Sequence, residues 1–513
     1  MFNRPLIFFF IFSIHNICVS QNTFVPDDNF EQELIRLGYD VGPLDDFVPT
    51  VNINAVTSLV VSKLNINDLT GIEDFTALEV LDCSENKLTH LDVSKNLNLE
   101  QLFCAFNTIS SLDVSNNTSL KILWCNFNKL TNLDLSKNAG LLSLICSNNS
   151  ISTIDVSKNL VLNTFICVDN GITNLNVSVN SQLKIFHCGN NKLTTIDVSQ
   201  NPLLEIFNCE YNALENLDVS QNKNLSQLFC LSNKLTSIAV SNNKALSILS
   251  CGNNQLSDLN VAQNLNLTEL YCHDNLLESL NLSANSLLTT VDCRNNNLCL
   301  LNLQNKNNTN MVTMDARGNM DLSCIFVDDA GYSNSNWIHI EPTSNFVNTQ
   351  QDCEIFADIP DVTVLDDFIG SQYVLPSITD GSYFTQSEGN GQQLFPGHIL
   401  SNSQTIYIYI SSGCYSNESS FNIIISDKTH AIPKYFTPNN DTVNDFWQVI
   451  DPDNTVNNIT IYNRQGKLLK LLDPKSQGWD GTFNGNQLPT DTYWYEIVLN
   501  SREIIRGYFA LKR

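Results

Sequence analysis

Apolar and polar positions follow a pattern along residues 78–300 that repeats every 21 residues. Each unit has the form L-x-x-L-x-C-x-x-N-x-L-T-x-L-D-V-S-x-N-x-x, as residues 99–117 illustrate. The leading half predicts a strand, and the trailing half repeats the same inward and outward alternation and predicts a second strand. A fixed period of this length indicates a solenoid in which neighbouring coils bury each other's apolar edges.

A cysteine marks the third apolar position of each unit. Parallel strands in register lie about 4.8 Å apart, but side chains of adjacent strands then point the same way instead of towards each other. We therefore expect free, buried thiols that replace a leucine, with no metal site and no redox chemistry. The ladder comprises Cys83, Cys104, Cys125, Cys146, Cys167, Cys188, Cys209, Cys230, Cys251, Cys272 and Cys293.

Asparagine and aspartate recur with the same period. The asparagines that begin with Asn86, Asn107 and Asn128 are expected inside the turns, where each amide hydrogen-bonds backbone groups that the bend leaves unpaired. Asn96 and Asn117 are expected to close the trailing turn. The aspartates could bind cations, but six like charges in a row repel, which favours local backbone hydrogen bonds on the convex face. They are Asp92, Asp113, Asp134, Asp155, Asp197 and Asp218.

Less regular segments flank the repeat and are expected to cap the solenoid. Residues 21–55 form the N-terminal cap, with an amphipathic helix over residues 26–38. The helix is expected to begin at Asp27 or Asp28 and to end at Gly38. Its inward positions are Phe30, Leu34 and Leu37.

The period is lost over residues 307–354, the expected C-terminal cap. We predict a disulfide between Cys324 and Cys353, because an oxidising location and irregular structure favour such a bond. Cys299 and Cys414 are not assigned a state.

The 21-residue unit resembles the IRREKO class of bacterial leucine-rich repeats. The 22-residue spacing from Val61 to Cys83 resembles internalin-type repeats. These resemblances imply a leucine-rich-repeat solenoid, which we place over residues 56–306. The fold predicted for the whole chain is mainly β, with two small β-sandwich-like domains after the solenoid.

The first of these domains is a β-rich spacer over residues 355–426, predicted from the alternating segments TIYIYI and SFNIIIS between Gly and Asn turns. The second, residues 427–513, contains PKYFTPNNDTVNDFW, IYNRQGKLL, GWDGTFNG and a terminal GYFALKR. These motifs resemble the type B sorting domain of the type IX secretion system, also called the gliding-motility-associated C-terminal domain. The resemblance implies export by the type IX machinery.

The family's FTPN loop continues Gly-Asp-Gly, whereas this chain has Asn440 and Thr442 at the two glycine positions. Asp441, Asn444 and Asp445 could still group oxygens around a calcium ion. A plain hydrogen-bonded turn is the favoured interpretation, because β-branched threonine does not tolerate a left-handed backbone.

Charge and targeting signals agree with an exported protein. The formal net charge of −26 argues against nucleic acid as a partner, which requires clustered Lys and Arg. Residues 1–20 have the basic start and apolar core of a signal peptide. Nothing after them has the 18 or so apolar residues of a membrane helix. The expected location is secreted or attached to the outer cell surface.

The variable columns beside the cysteines are where binding is expected, because they face the concave surface of a leucine-rich repeat. A contiguous apolar patch on a surface usually marks an interaction site. Cross-strand packing or cover by a loop is the alternative explanation. The candidate ligand-binding residues are Phe103, Phe106, Trp124, Phe127, Ile145, Ile166, His187, Tyr211, Phe229 and Tyr271.

Enzyme function has little support. The sequence contains no HExxH, GxSxG, Walker A, GxGxxG or CxxC motif, no cofactor is implied, and His187 and His273 are expected to be contact residues. The leading hypothesis is a binding or adhesion protein for a protein, peptide or glycan. The alternative is a structural surface-layer or spacer protein without a dedicated ligand, and a hydrolase with an unrecognised site ranks last.

Overall fold

Two compact units, divided after residue 357, make up the chain. The structure is a computed structural model that describes residues 21–353, 355–356, 359–425, 430–441, 443–452 and 454–513. The predicted signal peptide, residues 1–20, lies outside the described residues.

The first unit begins with a cap of two short strands, Asn22–Phe24 and Phe47–Pro49, and two helices, Asp28–Arg36 and Thr50–Ile53. The Asp27 side chain caps the first helix by accepting hydrogen bonds from the backbone N–H groups of Asn29 and Phe30. Gly38 follows the helix with a φ of +83°. Phe30 and Leu34 are fully buried, as expected, but the prediction for Leu37 was wrong. Leu37 caps the end of the helix, where its side chain is 38% exposed.

One three-residue strand per coil forms the solenoid sheet, which has 13 parallel strands among the described residues. Paired residues in neighbouring strands occupy the same place in each coil, so the register never slips. The strands are Ser58–Val60, Val80–Asp82, Gln101–Phe103, Ile122–Trp124, Ser143–Ile145, Thr164–Ile166, Ile185–His187, Ile206–Asn208, Gln227–Phe229, Ile248–Ser250, Glu269–Tyr271, Thr290–Asp292 and Thr313–Asp315. A short 3-10 helix, Ile72–Asp74, lies between the first two.

Columns of apolar side chains fill the interior of the coils. The middle residue of each strand, the ladder cysteine and the leucines and valines of the trailing half are buried, including Leu91, Val93, Leu112 and Val114. All eleven ladder cysteines are buried free thiols, as predicted. Val61 and Ala316 continue the cysteine column at its two ends. Each donates its backbone N–H to a carbonyl oxygen of the next coil, as the ladder cysteines do.

Asparagine amides hold successive coils together, as the sequence predicts. Asn107 Nδ2 donates to the carbonyl oxygens of Cys83 and Cys104 at 3.1 and 3.2 Å, and Oδ1 accepts from Leu88 N at 2.9 Å. In the trailing half, Asn117 Nδ2 donates to Val93 O and Asn96 O at 3.0 and 2.9 Å. The first column therefore bonds carbonyls that no backbone N–H reaches among the described residues. The second column adds a bond to carbonyls that already accept from the backbone N–H groups of Asn96 and Leu99.

The prediction of two strands in every coil was wrong for most of the solenoid. Within the described part of the solenoid, a second ladder forms near the C-terminal end, from Ser279–Asn281, Leu300–Asn302, Cys324–Phe326 and Asn345–Val347. In earlier coils, such as the one containing Asn117, asparagine side chains make the cross-coil bonds of the trailing half. Side-chain bonds of this kind compete with a regular backbone ladder.

The C-terminal cap contains the 3-10 helix Asn308–Asn310 and the helices Ala330–Asn336 and Gln350–Cys353. A disulfide joins Cys324 to Cys353, the pair that the sequence suggests, with the two Cα atoms 5.7 Å apart. Trp337 packs against Phe346 with ring centroids 5.6 Å apart. These contacts cover the last coil, which otherwise presents an apolar edge to water.

The second unit contains two small β-sheet domains with separate cores. The strands of the first are Phe368–Gly370, Tyr373–Val374, Ser382–Phe384, Gln393–Leu394, Ile399–Leu400, Gln404–Ser412 and Tyr415–Ile425. Those of the second are Tyr435–Phe436, Val456–Tyr462, Leu468–Leu472, Thr482–Phe483, Asn486–Gln487, Asp491–Leu499 and Ile504–Leu511. Its core packs Trp447 against Phe509 with ring centroids 4.0 Å apart.

The C-terminal residue is held by the last domain. The backbone N–H of Arg513 donates to Thr490 Oγ1 at 2.9 Å, and the guanidinium donates to the carbonyl oxygens of Leu488 and Gly481. Lys512 Nζ lies 4.9 Å from the ring centroid of Tyr435. Both basic residues, Lys512 and Arg513, are therefore held against the surface of this domain.

Burial should make the ladder thiols inert in the folded protein. Burial raises the pKa of Cys125 and Cys251 to about 12, so almost no thiolate forms near neutral pH. We expect no reaction of the eleven ladder thiols with a disulfide reagent at pH 8, and rapid reaction of all eleven in denaturant. A timed thiol assay with and without denaturant measures this, and fast labelling of the native protein would contradict it.

Candidate binding surface on the solenoid sheet

The solenoid sheet has one buried and one partly exposed face. In nearly every coil the middle strand residue is buried, while the first and third residues point outwards and retain some exposure. Period-two alternation produces this division. The variable columns predicted to face a concave surface therefore lie on the outer face of this sheet.

The third strand positions bring four large apolar residues into register. Phe103, Trp124, Ile145 and Ile166 pair with one another across adjacent strands. The Phe103 and Trp124 rings meet edge to face, with centroids 4.9 Å apart and planes at 80°. Trp124 is 40% exposed, and its indole Nε1 donates to Ser143 Oγ at 3.3 Å.

A second pair of aromatic residues stands two positions after the cysteines. The Phe106 and Phe127 rings stack with centroids 4.3 Å apart and planes at 11°. Their exposed fractions are 48% and 43%. We call these two phenylalanines, together with Phe103, Trp124, Ile145 and Ile166 of the same coils and the next two, the aromatic patch.

The backbone beneath this second pair is left-handed. Phe106 and Phe127 both have a φ of +54°, a conformation that costs L-residues about 1–2 kcal/mol and that asparagine and aspartate tolerate best. Most other coils place asparagine or aspartate there, namely Asn148, Asp169, Asn190, Asn253, Asp274 and Asn295. Sequence reasoning missed this strain, although the asparagines and aspartates of the column were a signal for it.

Other predicted binding residues lie outside the aromatic patch. His187 follows Ile166 in the same column. Burial lowers the pKa of its imidazole. Its Nε2 has no hydrogen-bond partner among the described residues. Tyr211 is 53% exposed and also has a left-handed backbone. Phe229 and Tyr271 are half-buried in coils further along, and the Tyr271 hydroxyl donates to Glu269 at 2.9 Å.

Ion pairs occupy most acidic groups at the C-terminal end of the sheet. Arg317 pairs with Asp315 at 2.6 Å, and Arg294 lies 3.4 Å from Asp292. His273 Nδ1 lies 2.7 Å from Asp274 Oδ2. No serine or cysteine nucleophile is hydrogen-bonded to His273 in the described residues.

The aspartates of the trailing half bond their own backbone. Asp113 Oδ1 accepts from Ser115 N at 2.9 Å, and the same bond recurs through the column. This bond lowers the pKa of the Asp113 carboxyl. The column thus has the local role that the sequence favours.

The candidate calcium loop is also closed by hydrogen bonds. Asp445 Oδ1 accepts from the backbone N–H groups of Asn439 and Asn440, and Asp441 Oδ1 accepts from Val443 N at 2.8 Å. Asn440 and Asn444 take left-handed conformations, while Thr442 lies outside the described residues. The two carboxylates thus already serve as hydrogen-bond acceptors, as in a plain turn.

Comparison with known proteins identifies the last domain. Residues 430–511 match the family model of the CHU_C type IX secretion signal domain. This chain carries a type IX secretion signal. The signal places the protein outside the cell, either secreted or at the cell surface, and implies passage through the type IX machinery. No helix among the described residues is long and apolar enough to cross a membrane.

The solenoid is similar to those of bacterial internalins. The functional domain of InlJ from Listeria monocytogenes, which includes a cysteine ladder, aligns with a TM-score of 0.55 at 26% identity and covers 79% of this chain and 99% of its own. An internalin, inlF, from L. monocytogenes strain 4b F2365 aligns at 0.54 and 22% identity, covering 64% and 96%, and supports the fold alone.

The similarity in sequence is more local. Internalin J of L. monocytogenes serotype 4b is 36% identical over 77 residues, which is 15% of this chain. That alignment spans only 8% of the length of the curated relative. The chain is therefore a secreted or surface leucine-rich-repeat protein with an internalin-like solenoid.

Proposed function

We propose that the protein is an extracellular binding or adhesion protein whose aromatic patch contacts a protein or peptide partner. The observation that carries the proposal is the placement of Phe106 and Phe127 on a left-handed backbone while both side chains stay about half exposed. Asparagine would relieve the backbone strain at these sites. Strained positions of this kind cluster at functional sites.

Packing alone accounts poorly for the two phenylalanines. A stacked aromatic pair contributes about 0.5–1.5 kcal/mol beyond its buried area, which is less than the strain of about 2–4 kcal/mol for two left-handed residues. The stack also leaves both rings facing water over part of their surface. An exposed aromatic cluster of this kind is typical of the centre of a protein interface.

The Phe103–Trp124 pair serves both explanations. Its edge-to-face contact stabilises the sheet, and Trp124 still exposes two fifths of its surface. Tryptophan is the residue type most enriched among interface residues that dominate affinity. The internalin-like fold supports a binding role as well.

Selection from a displayed random peptide library and a glycan array tests the proposal. Peptides enriched on the full chain should lose about tenfold or more in affinity for the double variant F106N/F127N, as expected for interface anchors. The melting temperature should stay within about 5 °C, because relief of strain offsets the lost stacking together with the lost burial of the two rings. Glycan hits without peptide hits would contradict the peptide ligand.

A matched control is Leu265→Asn, which removes an apolar side chain that is 57% exposed outside the patch. It should leave affinity unchanged. Selected peptides that bind F106N/F127N as tightly as wild type would refute the role of the patch. A collapse of stability in that variant would mean that the rings are structural, and an empty screen would favour a spacer without a ligand.

A further inference from the structure

Charge is distributed unevenly over the outer face of the solenoid sheet. The coils of Cys104, Cys125 and Cys146 carry no ionisable group at the two outward strand positions or at the two positions after the cysteine. Just outside this window, Lys121 pairs with Glu100 at 2.7 Å, so these two charges compensate each other. The aromatic patch is therefore an uncharged surface on a strongly acidic protein.

One carboxylate lies at each end of the aromatic patch. Asp82 precedes Phe103 in the strand column, and Asp169 follows Phe127 and Asn148 in the left-handed column. Neither aspartate has a lysine or arginine partner within the described residues, whereas the neighbouring Glu85 pairs with Lys63 at 3.1 Å. Acids at the C-terminal end of the sheet are likewise paired with Arg294 and Arg317.

Both aspartates keep an oxygen for a ligand. Asp82 Oδ1 accepts from Ser84 N at 3.0 Å, and Asp169 Oδ1 accepts from Asn190 Nδ2. No hydrogen bond among the described residues reaches Oδ2 of either group. A local hydrogen bond to one oxygen holds each carboxylate in place and leaves the other oxygen available to a cation.

The coils that carry the two carboxylates have a spacing that matches an extended chain. Four steps between adjacent strands separate their coils, which amounts to about 19 Å at about 4.8 Å a step. An extended peptide advances about 3.3 Å per residue, so about six residues span that distance. Two basic side chains six residues apart would reach both aspartates while the residues between them lie on the patch.

The patch itself suits aliphatic side chains better than sugars. The Phe106 and Phe127 rings face each other at 11°, so one face of each ring is occupied by mutual stacking. Sugars need several polar groups for orientation. The uncharged window offers Gln101, Asn126 and Asn148, while the hydroxyls of Ser143 and Ser147 already accept from Trp124 and Val168.

We infer that the ligand of the aromatic patch is an extended peptide segment with an apolar centre and a basic residue at each end, recognised by Asp82 and Asp169. The inference rests on the proposed function, because it needs the patch as the binding surface. Anionic partners are disfavoured by the same two carboxylates and by the acidic chain as a whole.

Three synthetic peptides test the inference by calorimetric titration of the full chain. Each has alternating valine, threonine and leucine in the centre, and the residues at positions 1 and 7 are both lysine, both serine or both glutamate. The lysine peptide should bind at least about tenfold tighter than the serine peptide and tighter still than the glutamate peptide. Its advantage should shrink as salt is raised.

Charge variants locate the effect. The double variant D82N/D169N should remove the preference for lysine over serine, while D113N/D134N, which changes the net charge equally, should retain it. Asn176 occupies the position of Asp113 in another coil and makes the same bond to the serine two residues on, so this control should fold.

The outcomes separate the two proposals. Equal affinity for the three peptides in wild type, with loss of all binding in F106N/F127N, would overturn the charge inference and leave the patch as the binding surface. If F106N/F127N bound the lysine peptide as tightly as wild type does, both proposals would be overturned. No binding of the lysine peptide to wild type would also refute the inference, and the library selection would then decide on the patch.

Discussion

Aspartate in place of Asn149 is expected to lower the free energy of unfolding by about 3 kcal/mol or more, because a carboxylate cannot donate. Asn149 Nδ2 donates to the carbonyl oxygens of Cys125, Cys146 and Ser147 at 3.1, 3.1 and 3.2 Å, and Oδ1 accepts from Leu130 N at 2.9 Å. The substitution would direct negative charge at three carbonyl oxygens. Thermal and urea unfolding of the full chain measure the loss.

The adjacent residue supplies the control. Asn148 has a φ of +54° in the left-handed column, where aspartate already stands in other coils as Asp169 and Asp274. Asn148→Asp makes the same chemical change one residue away and should alter stability by no more than about 0.5 kcal/mol. Equal effects of the two substitutions would show that the asparagine column does not hold the coils together.

Alkaline pH is expected to unfold the solenoid steeply. Burial raises the thiol pKa throughout the ladder, to about 12 for Cys125 and Cys251. Because the pKa is higher in the folded state, the thiols contribute stability that is fully present below about pH 9 and is lost as the pH rises towards the folded value. In that window each thiol lowers the free energy of unfolding by about 1.4 kcal/mol per pH unit. Eleven thiols that become exposed together lower it by roughly 15 kcal/mol per pH unit.

Melting temperatures from pH 7 to pH 10.5, followed by circular dichroism, measure this dependence. Replacing Cys125, Cys167, Cys209 and Cys251 by alanine leaves cavities and should lower the melting temperature at pH 7. The same change should make the decrease of the melting temperature with pH less steep, by about four parts in eleven. Alanine is native to this column at Ala316. A melting temperature that stays level to pH 10.5, or an unchanged slope in the variant, would contradict the prediction.

Much of the architecture could be predicted from residue spacing. The period of 21 indicated the solenoid, the asparagine bonds and free thiols that the structure contains, and the terminal motifs indicated the secretion signal. The helix of the N-terminal cap was also predicted, except that Leu37 is exposed. Leu37 stands at the last turn, where the face that a side chain takes depends on what packs against the helix end.

The binding surface could be predicted only in outline. Phe103, Phe106, Trp124 and Phe127 were recognised as neighbours from their columns, and the structure brings them into contact as two pairs, Phe103 with Trp124 and Phe106 with Phe127. The left-handed backbone under Phe106 and Phe127 and the unpaired state of Asp82 and Asp169 were not foreseen. These properties depend on which side chains of neighbouring coils reach each position.

By itself, the sequence determined the repeating part of this protein: the coil length, the buried columns, the asparagine bonds and the exported destination. The same residue pattern recurs in every coil, so its eleven copies all support one interpretation. Tertiary structure alone decided which trailing halves become strands, how the aromatic rings stack and which carboxylates lack a cation. Those outcomes arise between coils, from the bonds and charges that stacking brings together.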